Sequence, residues 1–192
     1  MANKIKYGLK SVHYAVATIA ADGSATYGTP VAIPGAVNLS MSQQGDNTNF
    51  YADNIIYWAG YANNGYEGTL ELARIPESFE KDILGAYEDG KKMLVENAEA
   101  PSVHFALMFQ FEGDEKATRH VLYNCTASRP DVASQTVEQS ISPVTETLNI
   151  SASSVYDATL DKNIVKAKTT AESDTTAYNA WFSAVYQPTA AV

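Results

Sequence analysis

The sequence predicts a mainly β protein with two short helices, and stretches of alternating apolar and polar residues carry that prediction. Over Val103–Phe111 apolar side chains recur at every second position, which places them on one face of a strand. Gly113–Lys116 suits a turn, and a second strand-like run over Ala117–Ser128 follows it, so this region predicts a β-hairpin. The alternation over Val144–Ala152 predicts a further strand.

Weaker patterns predict three more strands, over Val12–Thr18, Val31–Ser40 and Ile164–Thr170. Asn124–Pro143 is rich in Ser, Thr and Gln and contains two prolines, which predicts a long loop or an irregular strand. No repeat or linker divides the chain. Its 192 residues, 45% of them hydrophobic, suit one core, so we expect a single domain over 1–192.

The first helix is predicted between a proline and a glycine. Pro76 suits a first helical position, and Gly85 suits a left-handed cap. Between them Phe79 and Ile83 lie one turn apart and would pack on the sheet. Because so short a helix is marginal alone, it must dock on the rest of the protein.

A second helix is predicted in a C-terminal segment at about 174–187. Asp174 suits its N-cap, and Pro188 would stop it. Between them aromatic and apolar residues follow at i, i+3, i+4 and i+7, namely Tyr178, Trp181, Phe182 and Val185. This spacing predicts one apolar face, and so short a helix must dock on something.

The composition indicates a soluble protein made in a cytoplasm. The chain has no apolar run of membrane-spanning length, and its start, MANKIKY, has no hydrophobic signal core. Cys125 is the single cysteine, so no internal disulfide forms. Its strand-like surroundings, in phase with Val121 and Tyr123, predict a buried apolar side chain rather than a reactive thiol.

The net charge of −9 is distributed unevenly. Between Glu67 and Glu115 twelve acids stand against four bases. Two short runs are basic instead: Lys4, Lys6 and Lys10, and Lys162, Lys166 and Lys168. We expect either ordinary solvated charge or attraction between these runs and the acidic middle of a neighbouring subunit. A nucleic-acid binder is disfavoured, since it would display a dense basic stripe.

The sequence predicts no catalytic, cofactor-binding or metal site. His13, His104 and His120 are isolated; the last two could face each other across the hairpin, but no carboxylate or cysteine stands at ligand spacing. The polar cluster Asp46–Asn54 superficially suggests calcium, yet turn-forming residues explain it better. No serine lies in a nucleophile elbow and no glycine run fits a phosphate loop. We therefore expect neither an enzyme nor a cofactor.

The most informative stretch is Phe50–Tyr66, which holds six of the twenty aromatic residues and one charge, Asp53. Exposing so much apolar surface on a free loop is costly and invites association. A turn at Asn63–Gly65 and the alternation of Tyr66–Ala73 place β structure beside it. We predict contacts with other subunits through Phe50, Tyr51, Ile55, Ile56, Tyr57, Trp58 and Tyr61. The alternative is a hydrophobic staple folded over the protein's own core.

Four blocks of sequence, in one order, carry a resemblance to a known family. They are GTPVAIPGAVNLSM at Gly28–Met41, FYADNIIYW at Phe50–Trp58, ANNGYEGTLELARIPESFEKDILG at Ala62–Gly85 and IVKAKTTAESDTTAYNAWF at Ile164–Phe182. The chain resembles the major tail proteins of long-tailed phages and prophages of Gram-positive bacteria, in the branch labelled the phi13 family.

The resemblance implies a β-sandwich or barrel with a helix on its flank. It also implies a structural siphophage or prophage protein whose subunits join edge to edge into hexameric rings, stacked into a tube through which DNA passes without specific binding. Its partners would be itself and other tail proteins, such as tape measure and tail-terminator proteins. We expect an extended N-terminal arm (about 1–10) and a long interaction loop (about 42–65). The expected location is the virion tail, assembled in the host cytoplasm without membrane contact.

The acidic excess suggests a tube wall that repels DNA phosphates. Acids on the first helix would face elsewhere, so the lumen candidates are the strand and turn acids Glu67, Glu71, Glu112, Asp114 and Glu115. The alternative function is a β-sandwich module that binds carbohydrate or another surface. In that case four aromatic side chains would stack on sugars: Tyr51, Tyr57, Trp58 and Tyr61.

Overall fold

The computed structural model describes residues 3–136 and 142–190, which are mainly β. The strands are β1 (Lys6–Ile19), β2 (Ala25–Tyr27), β3 (Val31–Ala32), β4 (Ala36–Gln43), β5 (Asn47–Ala52), β6 (Ile55–Tyr61), β7 (Tyr66–Leu72), β8 (Tyr87–Glu88), β9 (Leu94–Val95), β10 (His104–Gly113), β11 (Thr118–Ala127), β12 (Glu146–Ser153), β13 (Val155–Asp157), β14 (Lys162–Ile164) and β15 (Lys166–Lys168). The helices are α1 (Glu77–Asp82) and α2 (Thr175–Asn179). The predicted mainly β fold with two short helices is confirmed.

One nine-stranded antiparallel sheet dominates the fold. Its order is β2-β1-β10-β11-β12-β7-β4, with β3 beside β1 and β15 beside β11. The chain passes from β3 at one side of the sheet to β4 at the other. Two hydrogen bonds hold this passage: Ile33 N–H donates to Val12 O at 2.7 Å, and Ala73 N–H donates to Gly35 O at 2.8 Å. The sheet therefore curls towards a barrel, and β4 also contacts β1.

The sheet has two ends, which we call the turn end and the helix end. At the turn end, β10 and β11 are joined by the turn after Gly113, and Lys6 pairs with Gly113. At the helix end, β7 finishes at Leu72, beside Ala36 and Glu146, and the chain enters α1. Because every neighbouring pair is antiparallel, β7 and β11 both run away from the turn end.

The inner face of the sheet packs on α1. Phe79 and Ile83 are buried there, as predicted, and the Phe79 ring meets the Phe105 ring edge-on at 5.5 Å. Gly85 has the predicted left-handed backbone (φ 71°). Pro76 does not begin the helix: it precedes it in an extended conformation (φ −67°, ψ 141°), and Glu77 is the first helical residue.

The outer face of β1, β10 and β11 packs on the C-terminal segment. Trp181 and Val185 are buried against Met108 and Tyr123, which form a second core. Asp174 caps α2 as predicted, accepting a hydrogen bond from Ala177 N–H at 2.8 Å. The helix ends at Asn179 rather than continuing through residue 185, so packing by the following turns replaces the predicted helical face.

The predicted β10–β11 hairpin is confirmed, and the strand over Val144–Ala152 is present as β12. The run Val31–Ser40 is two strands, because Pro34 lacks an N–H and Gly35 adopts a left-handed backbone (φ 80°) between them. The remaining strand bounds differ by extension or division: Val12–Thr18 lies within a longer β1, and Ile164–Thr170 spans the end of β14 and all of β15.

The regions expected to be irregular have the following structure. β11 includes the start of Asn124–Pro143, residues 128–136 have no strand or helix, and 137–141 lie outside the described residues. The expected N-terminal arm is bound to the sheet, since Lys6–Lys10 belong to β1 and pair with β10. The expected interaction loop contains the β5–β6 hairpin.

Candidate assembly surfaces

The β5–β6 hairpin continues the β4–β7 ladder beyond the sheet, on the side of the turn end. Gln44 N–H donates to Gly65 O at 2.9 Å, and Asn64 N–H donates to Gln44 O at 2.9 Å. Gly45 stands at the joint because a Cβ there would come within 1.7 Å of Ala62 O. Asn63–Gly65, predicted as a turn, connects β6 to β7 without strand structure, and Gly65 N–H donates to Asn63 Oδ1 at 3.2 Å.

The hairpin reverses at Asp53 and Asn54, a two-residue connection between β5 and β6. Both residues have a left-handed backbone, with φ of 52° and 63°. Two successive positive φ values define the turn whose twist matches that of paired strands, and Asp and Asn tolerate this region better than other non-glycine residues. The polar residues at the end of the Asp46–Asn54 cluster thus form a turn, as the sequence predicts.

All seven side chains predicted to contact other subunits are exposed: Phe50, Tyr51, Ile55, Ile56, Tyr57, Trp58 and Tyr61. Tyr57 is 70% exposed and Trp58 is 55% exposed. The hairpin therefore does not fold over the protein's own core, and the staple alternative is wrong. The structure places a large apolar and aromatic surface in water, on a hairpin that forms its own two-stranded sheet.

The ladder orders these side chains. Phe50 pairs directly with Trp58, and a bulge follows between Phe50 and Tyr51, leaving Tyr57 as the extra residue of β6. A bulge re-aims the side chains around it, so the hairpin presents aromatic groups in more than one direction. Such a surface can meet partners on two sides.

A second surface is the polar outer face of β4, β7 and β12. Glu67 and Glu71 stand in its middle strand, whose alternate residues Leu70 and Leu72 point into the core. Their cross-strand neighbours are small and uncharged: Ser42 and Ser151 beside Glu67, and Asn38 and Thr147 beside Glu71. The Thr145 hydroxyl donates to Glu71 Oε1 at 2.6 Å. The face is a polar wall with two carboxylates.

The other three lumen candidates lie elsewhere, at the turn end. The Lys10 ammonium lies 3.6 Å from Glu112 Oε1, and Asp114 Oδ1 accepts a hydrogen bond from Lys4 N–H at 2.8 Å. Glu115 is held through its backbone N–H, which donates to Asn3 Oδ1 at 3.1 Å. The structure thus separates the five acids into two groups, and the N-terminal segment already pairs two members of the second group.

Comparison with known protein families shows which family the chain belongs to. The model of a family described as phage tail tube protein matches residues 2–192. The chain belongs to the phage tail tube protein family. No curated protein matches it. The resemblance found in the sequence is confirmed, and the family carries a structural, non-enzymatic role in the virion tail, with self-association and contacts to other tail proteins.

The histidines of this tail tube chain do not come together. His104 Nδ1 lies 2.7 Å from Asn124 Oδ1, whereas His120 stacks on Phe109 with ring centroids 5.1 Å apart. The idea that His104 and His120 face each other is wrong, because Phe109 is the residue paired with His120. Burial and the charges of nearby lysines lower the pKa of His120 to about 4.

Two negative findings apply to the residues that the structure describes. Over 3–136 and 142–190 no three His, Cys, Asp or Glu side chains are grouped as a metal would require. In the same ranges neither helix has the length and apolar character needed to cross a membrane.

Sequence reasoning missed a stack of cations and rings at the turn end. The Arg119 guanidinium lies 3.9 Å from the Tyr178 ring centroid, and the Lys116 ammonium lies 4.0 Å from it on the same ring. Arg119 also lies over Phe182, whose ring stacks on His13 at 4.8 Å. No spacing reveals these contacts, because they join β11 to a segment far along the chain.

Proposed function

We propose that this tail tube protein is the major tube subunit of a long non-contractile tail, and that its copies form stacked rings around a DNA conduit. The single observation that carries the proposal is the exposed aromatic hairpin, in a family whose members build tubes. The ring of six subunits follows from the resemblance of the sequence blocks. Closing a ring would also pair the exposed edge of the sheet at β4.

The hairpin supports intersubunit contact on energetic grounds. Fully burying one large apolar side chain is worth about 1.5–3 kcal/mol, and each copy exposes seven such groups on β5 and β6. A ring repeats that contribution in every subunit. Because the hairpin lies outside both cores, burying it against a neighbour does not require the subunit to unfold.

The polar face of β4, β7 and β12 supports a role as the lumen wall. Its short hydroxyl and amide side chains leave Glu67 and Glu71 as the charged groups among the paired positions on this face. Repeated around and along a tube, these carboxylates would repel phosphates, so that DNA slides without binding. Glu112 and Asp114 are weaker candidates, since Lys10 and the Lys4 backbone already occupy them.

The remaining assignments are supported by the resemblance of the sequence blocks. The tube would assemble in the cytoplasm of the bacterial host and end at a tail-terminator protein. It would enclose a tape measure protein until DNA passes. The tail would be of the siphophage type, in a phage or a prophage.

Negative-stain electron microscopy of the purified, concentrated protein tests the proposal. Rings or hollow tubes are the expected result, together with high-mass species in size-exclusion chromatography. Dispersed monomers at every concentration would overturn it. Monomers that bind a glycan array through the hairpin aromatics would instead favour the carbohydrate-binding alternative.

A further inference from the structure

Lysines gather in the half of the sheet nearer the turn end. Lys6 pairs with Gly113 at that end, while Lys166 and Lys168 stand on β15, opposite Leu122 and His120. All three lysines lie close enough to His120 to affect it. Burial lowers the pKa of His120, and the charges of these lysines lower it further. Among the described residues, Lys166 and Lys168 make no ion pair. We call Lys6, Lys116, Lys166 and Lys168 the basic cluster.

The basic cluster has a recess. A pocket of about 240 Å³ opens between β11 and the residues that follow β15. Lys116 and Lys168 line it, with the hydroxyl-bearing side chains of Thr118 and Thr169. Ammonium and hydroxyl groups are donors that suit carboxylates. The recess can accept an acidic side chain that protrudes from another molecule.

The opposite end of the sheet is acidic. Between Glu77 and Glu99, in the segment from α1 through β9, seven acids stand against three lysines. Two of these lysines, Lys81 and Lys92, form ion pairs with the same acid, Glu88. Neither Glu77 nor Glu99 takes part in an ion pair within the described part of the chain. We call Glu77–Glu99 the acidic segment.

We propose that the basic cluster of one copy docks on the acidic segment of a second copy, so that copies stack turn end to helix end. This inference rests on the proposed function and names the surfaces through which its rings would meet. The two surfaces lie at opposite ends of the sheet, so a single copy cannot satisfy both. Stacking two basic clusters, or two acidic segments, on each other would bring like charges together, which complementary docking avoids.

The contact is heterologous, because each copy uses its basic cluster towards one neighbour and its acidic segment towards the other. All copies in the stack therefore point the same way. A single exposed ion pair is worth only about 0–1 kcal/mol. Repetition around a ring makes the sum large enough to set the polarity of stacking. The aromatic hairpin projects on the side of the turn end and would reach the same neighbour.

Charge reversal tests the docking. K166E/K168E takes the basic cluster from four positive charges to a net charge of zero, and E77K/E99K takes the acidic segment from −4 to zero. We expect each variant alone to form rings but to raise the protein concentration needed for tubes by about tenfold or more. A mixture of the two variants in equal amounts should restore tubes, because each variant then complements the other. R74E/K162E changes the net charge as much as K166E/K168E does, at two exposed positions outside both surfaces, and should form tubes like the unaltered chain.

The outcomes separate this inference from the proposed function. If the unaltered protein forms no rings or tubes, the proposed function fails. If it forms tubes and K166E/K168E does so equally well, or the mixture stays as rings, only the docking inference fails. Circular dichroism checks the fold of each variant. Should a reversal unfold the chain, K166Q/K168Q replaces it and must weaken tube formation relative to R74Q/K162Q; equal tube formation would overturn the docking.

Discussion

The indole of Trp58 lies against the backbone of Gly60, so closely that a Cβ on residue 60 would come within 2.2 Å of the ring. Glycine at that position lets the ring lie along the strand while it remains 55% exposed. A ring held against its own strand loses little further freedom when a partner covers it, which favours binding. The hairpin is thus shaped to present Trp58.

Replacing Tyr57 and Trp58 by serine should abolish polymerisation and leave a folded monomer. Both side chains are exposed and contribute little to either core, whereas both would contribute to a contact between subunits. Sedimentation velocity measures the assembly, and thermal denaturation measures the fold. Phe79→Ala is the contrasting variant: it empties a core position and should cost about 3–5 kcal/mol of stability. Unfolding of the Tyr57→Ser/Trp58→Ser protein would contradict a role of the pair confined to contacts between subunits.

Gly68→Ala should destabilise the subunit by more than about 1 kcal/mol. A Cβ at residue 68 would come within 1.8 Å of Ser40 O, so β4 would have to separate from β7. Urea denaturation gives the free energy of unfolding. Gly90→Ala is the matched control, because a Cβ there meets nothing within 4 Å, and its effect should stay within about 0.5 kcal/mol. Equal effects of the two substitutions would contradict the close packing of β4 on β7.

Reversing Glu67 and Glu71 to lysine should leave tubes intact but slow or block DNA ejection. Lysines on the lumen wall would bind the passing phosphates instead of repelling them. The measurement is the rate of DNA release from particles assembled with the variant. Asp131→Lys/Glu172→Lys makes the same change in net charge at exposed positions off this face and should eject normally. Normal ejection by the Glu67→Lys/Glu71→Lys particles would rule out electrostatic repulsion by this face.

Tube formation from rings should weaken as salt rises from about 50 mM to about 500 mM, because exposed ion pairs are screened over a Debye length that shortens with ionic strength. Rings held by apolar hairpin contacts should persist. Light scattering against salt concentration, with electron microscopy at each end, makes the comparison. Tubes that are indifferent to salt, or promoted by it, would assign the stacking to apolar contacts alone.

The subunit should lose stability as pH falls from 6.5 to 4, in part through His120. Burial, then Lys168, Lys166 and Lys6, lower the pKa of His120 from 6.5 to about 4. Between these values the unfolded chain binds the proton and the folded chain does not, so stability falls as pH falls through the window and levels off below it. His120→Gln should flatten the curve of unfolding free energy against pH in that window. A curve parallel to that of the unaltered protein would contradict the role of His120.

Alternation of apolar residues and helix-capping residues correctly predicted individual strands and the start of a helix. The alternation over Val103–Phe111 identified β10, and Asp174 marked the start of α2. The second core was missed because Ala106 and Met108 lie on the face opposite the strongly apolar one, and nothing in their spacing says that the C-terminal segment covers it. Tertiary packing decided their burial.

For the candidate surfaces too, the sequence predicted composition but not three-dimensional geometry. The composition of Phe50–Tyr66 predicted a segment that contacts other subunits, because so many aromatic residues are costly on a free loop. It did not reveal that Asp53 and Asn54 form its turn between two strands of known register. The sequence could not show that Glu67 and Asp114 lie on different surfaces. The hydrogen bond from Lys4 N–H to Asp114 joins residues 110 positions apart, which no local pattern reveals.

The sealed position of Cys125 has a practical consequence. Its side chain is fully buried in the inner core, and burial raises the pKa of the thiol to about 12, so it remains protonated and inaccessible in the folded subunit. It is also the single cysteine of the chain. A cysteine introduced at an exposed position such as Tyr57 would therefore be the one group that a maleimide dye reaches. Dye uptake before and after assembly would then map, site by site, which surfaces the tube hides.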